Sequence, residues 1–207
     1  MKNISAVVVS LLFSTITFSQ AIDPQKSARA AALSDSKFIA NSIEDDKDFI
    51  FLSQKAVGRA TDSRIRELAE QLVTDHSAML YSMEQLQSAG TGSSNQKTKA
   101  ENAKKQAVLL NSGLALVSGG EFDSMWVNNL FLMQQAKYDE LALAKQTVTN
   151  PQLNMTITAA LPIIRKNRSQ LKTLQNYLVK MAVQRKKEAA AQEKLEKRER
   201  LQKERTK

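Results

Sequence analysis

The chain has 207 residues, 42% of them hydrophobic and 25% charged, with three prolines, six glycines and few aromatics; this balance favours long helices over a many-turned β-fold. Cysteine is absent, which excludes a disulfide framework, a thiolate metal site and a cysteine nucleophile. The net charge is +9, but over half of the excess lies beyond residue 184, where ten lysines and arginines accompany five glutamates; the remainder is near neutral and offers no extended nucleic-acid surface.

Residues 1–21 read as a secretory signal peptide. Lys2 supplies the positive start, Ile4 to Phe18 form a short apolar core interrupted by Ser10, Ser14 and Thr15, and Ser19 and Ala21 suit cleavage before Ile22. The core is too short and too hydroxylated for a comfortable membrane span, and no later apolar run approaches that length. Without cysteine there is no lipid anchor. The expected location is therefore a periplasm or beyond, with no integral span after cleavage and away from cytosolic ATP and NAD. Residues 22–35 are polar and alanine-rich and read as a mobile lead-in to a bundle domain over 36–182.

Ser34-Asp35-Ser36 is expected to cap a first helix bearing Phe38, Ile39, Ile43, Ile50, Leu52 and Val57. Its acidic patch, Glu44-Asp45-Asp46, is expected to bend that helix or lie on its wet face. Thr61-Asp62-Ser63 offers the next cap. Behind it Ile65, Leu68, Leu72, His76, Met79, Met83 and Leu86 recur at spacings of three and four, the clearest helical period in the chain. His76 is the only histidine. Ser88 to Asn95 is a loop, followed by a helical stretch from about Thr98 to Leu116. Ser118-Gly119-Gly120 breaks it, and an amphipathic run starts at Glu121 with Phe122, Trp126, Leu130, Met133, Leu141 and Val148. Asn150-Pro151 opens the last helix, in which Ile157, Leu161, Ile164, Leu171, Leu174, Leu178 and Met181 face inward and Pro162 is expected to cause a kink. No segment alternates with period two for long enough to make a strand. The pattern predicts an all-α fold, an antiparallel four-helix bundle with a long charged C-terminal helical extension.

Four elements carry a family resemblance. Arg66-Glu67-Leu68-Ala69 with Leu72-Val73-x-Asp75-His76-Ser77 is the first, and Gly119-x-x-Phe122-Asp123 with Trp126 the second. Asn150-Pro151-x-Leu153 and Leu161-Pro162-x-Ile164 are the third and fourth. In this order, over roughly Phe38 to Lys180, they resemble domain-of-unknown-function family 4142. The resemblance implies an exported bacterial protein with a ferritin-like four-helix arrangement and no established activity. Members often carry a glutamate in the first helix and histidines after the second and fourth elements. This sequence places Phe49 or Phe51, Gln134 and Asn167 there, which implies that the groups able to complete a metal site have been replaced.

The chemistry read from the residues points the same way. A di-iron carboxylate bundle needs Glu-x-x-His on two helices; position 73 is valine and no second histidine exists. Asp75 and His76 are weak metal candidates, because adjacent helical residues point about 100° apart. His76 is expected as a neutral histidine bonded to Asn167 or Gln134, with no cofactor. Ser77 faces elsewhere and no Gly-x-Ser-x-Gly elbow is present. Gly119-Gly120 lacks the Gly-Lys-Ser/Thr of a phosphate loop. Glu121 and Asp123 suit the positive end of a helix dipole, and Trp126, Phe131 and Met133 suit a core or an interface. No catalytic residue is assigned.

Residues 183–207 lose the apolar stripe. Glu193 and Lys197, Glu196 and Arg200, and Glu199 and Lys203 are favourable i,i+4 pairs, so this tail is expected to be a helix continuous with the last bundle helix. Arg185, Lys186, Lys187, Lys194, Lys197, Arg198, Arg200, Lys203, Arg205 and Lys207 are the candidates for contact with an anionic surface such as lipid headgroups, lipopolysaccharide or another protein. The expected function is that of an exported, non-enzymatic helical bundle acting through binding or surface contact. The alternative is a ferritin-like metal-binding protein with a weak site around His76.

Overall fold

The structure is a computed structural model that describes residues 24–89 and 112–205; the signal segment, the Ser88–Asn95 loop beyond residue 89, most of the Thr98–Leu116 stretch and Lys207 lie outside the described residues. Four long helices account for nearly all of it: α1 (Pro24–Arg59), α2 (Ser63–Ser88), α3 (Gly119–Thr147) and α4 (Pro151–Arg205). Residues 112–116 are also helical, and no strand occurs among the described residues. The fold is an all-α bundle.

Helix α1 begins twelve positions before its expected start at Ser36. Pro24 suits the opening of a helix, where its missing N–H costs nothing, and Ala28, Ala30, Ala31 and Ala32 are the strongest helix formers. The lead-in is therefore helical, and Ser34-Asp35-Ser36 lies inside α1 rather than capping it. Along α1, Asp35, Ile39, Ser42, Asp46, Phe49, Ser53 and Ala56 are buried, and Ala60 just past its end, at alternating spacings of four and three that mark one inward face.

Helix α1 packs against α2 and α3, and α4 against α3 and α2. The link between α1 and α2 meets Asp123 near the start of α3. The link between α3 and α4 meets Asp35 near the start of α1. Neighbouring helices are thus antiparallel, while the diagonal pairs run parallel. Helix α2 ends at the Asp35 end and α3 begins at the Asp123 end, separated along the bundle by about 39 Å, the length of the 26 residues of α2.

The two short links follow the expected caps. Asp62 accepts from the Arg64 backbone N–H at 3.0 Å, and the Asn150 side chain accepts from the Leu153 N–H at 3.0 Å. Gly119 opens α3 with φ +57°, a backbone region that glycine adopts without strain. Helix α4 runs unbroken through Pro162. That proline lies on the exposed face, where water can satisfy the Thr158 carbonyl deprived of its helical partner.

The interior divides into two apolar clusters. One, at the Asp123 end, contains Leu52, Ile65, Leu72, Phe122, Trp126, Leu130 and Leu171. The other, at the Asp35 end, contains Ile39, Ile43, Met79, Met83, Leu153, Ile157 and Ile164. Each fully buried large side chain contributes about 1.5–3 kcal/mol. The Trp126 indole N–H also donates to the Leu52 carbonyl at 2.9 Å, tying α3 to α1.

Candidate functional site

Each helix changes cluster at a polar residue. On α1 it is Asp46, between Ile43 and Phe49; on α2, His76, between Leu72 and Met79. On α3 it is Gln134, after Leu130; on α4, Asn167, between Ile164 and Leu171. All four are buried, so the bundle has a polar waist closed to solvent.

His76 is its centre. Its Nδ1 lies 2.7 Å from Asp46 Oδ1, and its Nε2 lies 2.7 Å from Gln134 Nε2. A carboxylate accepts, so Nδ1–H donates to Asp46, and with the Gln134 amide N–H₂ facing it Nε2 accepts. Phe49 stacks on the imidazole at 4.0 Å between centroids and 11° between planes. Of the two amides expected beside His76, the structure selects Gln134. The Asn167 side-chain N and O have no hydrogen-bond partner among the described residues, nor do Gln134 Oε1, Ser42 Oγ and Ser53 Oγ.

The acidic patch of α1 does not lie on a wet face. Asp46 points into the waist, and Asp45 accepts from Lys137 Nζ at 3.0 Å. Lys137 sits one turn beyond Gln134 and is only 3% exposed, with Glu140 Oε2 at 4.0 Å. Burial works against its charge, but Asp45, Asp46 and Glu140 outweigh burial and hold it above the usual lysine range. Asp48 has no such cation: burial first, then the negative charges of Asp45 and Glu44, push its carboxyl up to about 6.

The arrangement is built to hold its own groups. Both ring nitrogens of His76 are engaged, and the ring is fully buried. Asp75 does not join it, because Asp75 Oδ1 accepts instead from Gln71 at 2.8 Å on the same helix. Ser77 is exposed, on a different side of α2. No group of three or more His, Asp or Glu side chains that could hold a metal ion occurs among the described residues. At the position expected from the family for a glutamate, Phe49 is the stacking partner of His76 and Phe51 is 42% exposed. The carboxylate comes from Asp46, one turn before Phe49. Asp46 and Lys137 are the waist residues that sequence reasoning missed. The available signal was Asp46 falling on the same stripe as Ile39, Ile43 and Phe49.

Beyond the bundle the surface is open. Every described side chain from Ala182 to Glu204 is exposed, among them those of Lys186, Lys187, Lys194, Lys197, Arg198, Arg200 and Lys203. Arg205 is the last residue of α4. Arg185 lies at the junction, its guanidinium against Gly120. There it borders a cleft of about 420 Å³ with Thr61, Asp62, Tyr177 and Met181. No described helix is long and apolar enough to cross a membrane.

No curated protein and no solved structure matches the chain. The family described as Domain of unknown function (DUF4142) matches residues 20–174. That range takes in all four waist residues and ends before the exposed part of α4. On that match the chain belongs to the DUF4142 family.

Proposed function

We propose that this protein is an exported, non-enzymatic helical bundle that works by surface contact, with the exposed end of α4 engaging anionic surfaces. One observation carries the reading: a helix that leaves the bundle near Met181 and continues to Arg205 with its side chains in solvent and a surplus of lysine and arginine. A solvated helix of this length loses conformational entropy, and beyond Arg185 its described side chains stay exposed. Contact with an oppositely charged partner supplies the missing gain. The signal-like residues 1–21 support export to a periplasm or beyond, and the helix arrangement, with α2 ending and α3 beginning at opposite ends, is the one ferritin-like bundles use.

The waist supports the non-enzymatic side of this reading. Its polar groups are enclosed, and the histidine has neither a free nitrogen nor an adjacent nucleophile. A cation at His76 would meet one imidazole and one carboxylate, and Asp46 already holds the ring through Nδ1. Elemental analysis of protein expressed to the periplasm, beside His76→Ala, checks this; stoichiometric metal lost on substitution would overturn the non-metal reading.

The test of the main reading compares the full mature chain with one ending at Gln184 in sedimentation with anionic vesicles or lipopolysaccharide. The full chain is expected to bind and the shortened one to lose most of that binding at physiological salt. Equal binding by both removes the tail from the account.

A further inference from the structure

We infer that α4 from Lys180 onward lies lengthwise on an anionic phospholipid surface through one face, whose cations are Lys180, Lys187, Lys194 and Arg198. This rests on the reading of the tail as an anionic contact and goes further: it names the face and the partner.

The unbroken helix makes the assignment possible. Residues separated by three, four or seven positions share a side of a helix. Lys180, Lys187 and Lys194 follow one another at sevens, and Arg198, four beyond Lys194, continues the same line, while Lys197 stands about 100° from Arg198 at its edge. Glu188, Glu196 and Glu199 fall on the opposite side, and Glu193 and Glu204 flank the stripe. The basic residues of the tail are therefore not equivalent. Arg185, Arg200 and Lys203 point away from the stripe, and Arg185 is already placed against Gly120.

Two apolar side chains decide between partners. Val183 is 48% exposed and Leu201 51% exposed, and both lie on the basic stripe, Val183 four positions before Lys187 and Leu201 seven after Lys194 and three after Arg198. Ala190 lies between them on the same line. Lysine stems can lie along an apolar boundary while their ammonium groups reach phosphate oxygens. A headgroup layer therefore rewards both components of this face, whereas a nucleic-acid backbone rewards only the charge. From Lys180 to Leu201 the stripe is about 32 Å long, so a straight helix can set its four cations on a plane at once. The opposed glutamates keep the far side in water and orient the helix.

The experiment uses the full mature chain and vesicles of one part phosphatidylglycerol to two parts phosphatidylcholine, with pure phosphatidylcholine vesicles and a duplex DNA oligonucleotide at the same salt. A face-exchanged variant carries K187E, E188K, K194E, E196K, R198E and E199R, which leaves the net charge unchanged; circular dichroism checks that its helix content is kept. A second variant carries V183S and L201S. Wild type is expected to bind the anionic vesicles and not the neutral ones. The face-exchanged chain is expected to bind on the order of tenfold or more weakly, and the serine variant to weaken on vesicles while its weak DNA association stays unchanged. Equal vesicle binding by wild type and the face-exchanged chain overturns the oriented face and leaves the tail reading standing. Absence of wild-type binding to anionic vesicles overturns both. Tighter binding to DNA than to vesicles, unaffected by the serine substitutions, overturns the lipid partner in favour of nucleic acid.

Discussion

Asp35 and Asp123 sit at opposite ends of the bundle, and each holds the turn of the other's hairpin. Asp123, on α3, accepts from the backbone N–H groups of Thr61 and Asp62 at 3.0 and 3.1 Å and from the Thr61 hydroxyl. Asp35, on α1, accepts from the N–H groups of Thr149 and Asn150 at 3.1 and 2.8 Å and from the Thr149 hydroxyl at 2.9 Å. Each aspartate is followed by a serine, and each stands the same distance ahead of a waist residue, Asp46 or Gln134. Each clamped threonine precedes a helix-capping residue, Asp62 or Asn150. The two hairpins thus repeat one plan about a pseudo-twofold axis, and each completes the other.

Removing either clamp leaves three donors without their acceptor at a part-buried link whose threonine is exposed. Asp123→Ala and Asp35→Ala are each expected to cost about 2–4 kcal/mol, since hydrogen bonds to a charged group are worth more than neutral ones. The pair shares no partner and sits at opposite ends, so the double variant should lose the sum of the two within roughly 0.5 kcal/mol. Urea midpoints at constant m-value measure this. A double variant no less stable than the worse single one would contradict two independent clamps.

At the waist, single and combined substitutions should part company. His76→Ala strands the Asp46 carboxylate and the Gln134 amide in a dry interior and opens a cavity under Phe49; about 3–5 kcal/mol is the expected loss. Replacing all three polar partners with apolar residues of similar volume, Asp46→Leu, His76→Phe and Gln134→Leu, removes the stranded groups together. It should recover most of that loss, because interior polar networks are seldom worth more than well-packed apolar substitutes. Chemical denaturation of the single and triple variants decides the matter, and a triple variant as weak as His76→Ala would mean that the network stabilises the bundle outright.

The stripe on α2 was readable because its buried residues, Ile65 through Leu86, are apolar apart from His76 and follow one helical period. The caps at Asp62 and Asn150 were readable because a cap is local chemistry. Helix α1 was harder, since four of the seven residues on its buried stripe are polar: Asp35, Ser42, Asp46 and Ser53. A reading based on apolar spacing turns such a face outward and takes Asp35 for a local cap, when its acceptors serve a link more than a hundred residues later. The Asp46 contact with His76 likewise joins residues thirty positions apart, which no local spacing reveals. Family comparison came within one turn of it by pointing to Phe49. The continuity of α4 was legible from its i,i+4 charge pairs, but the sorting of its cations onto one face emerges only when the helix is known to be unbroken.

Asp48 gives a pH signature. Burial and the nearby carboxylates push its carboxyl up to about 6 from the ordinary aspartate value of 3.8, so the folded state holds this proton more tightly than the unfolded chain does. The stabilising effect of protonation is full below about pH 4 and is lost as pH rises through about 6. Asp48→Asn removes the repulsion with Asp45 and Glu44 and should stabilise the protein at pH 7. Because the group is about half exposed, solvent screening reduces the gain to roughly 1 kcal/mol. Below pH 4 the two proteins should be equally stable. Thermal unfolding at pH 4 and pH 7 tests the sign, and a variant less stable than wild type at pH 7 would refute it.

Lys137 runs the other way. Its ammonium is held by Asp45, Asp46 and Glu140 above the usual lysine range despite burial, so it stays charged throughout the neutral range and contributes a constant amount there. The sign for a raised lysine is that its stabilisation is complete below the unfolded value, near pH 10.4, and disappears as pH rises through the folded value above it. Lys137→Met keeps the apolar stem but leaves Asp45 and Asp46 facing each other uncompensated. A loss of about 2–4 kcal/mol at pH 7 is expected, below the full cost of a broken buried pair because Asp45 is 28% exposed and can turn to water. Adding Asp45→Asn should return part of that loss. The two variants therefore separate the repulsion from the packing: if Lys137→Met and Lys137→Met with Asp45→Asn unfold at the same urea concentration, the lysine acts through its stem rather than its charge.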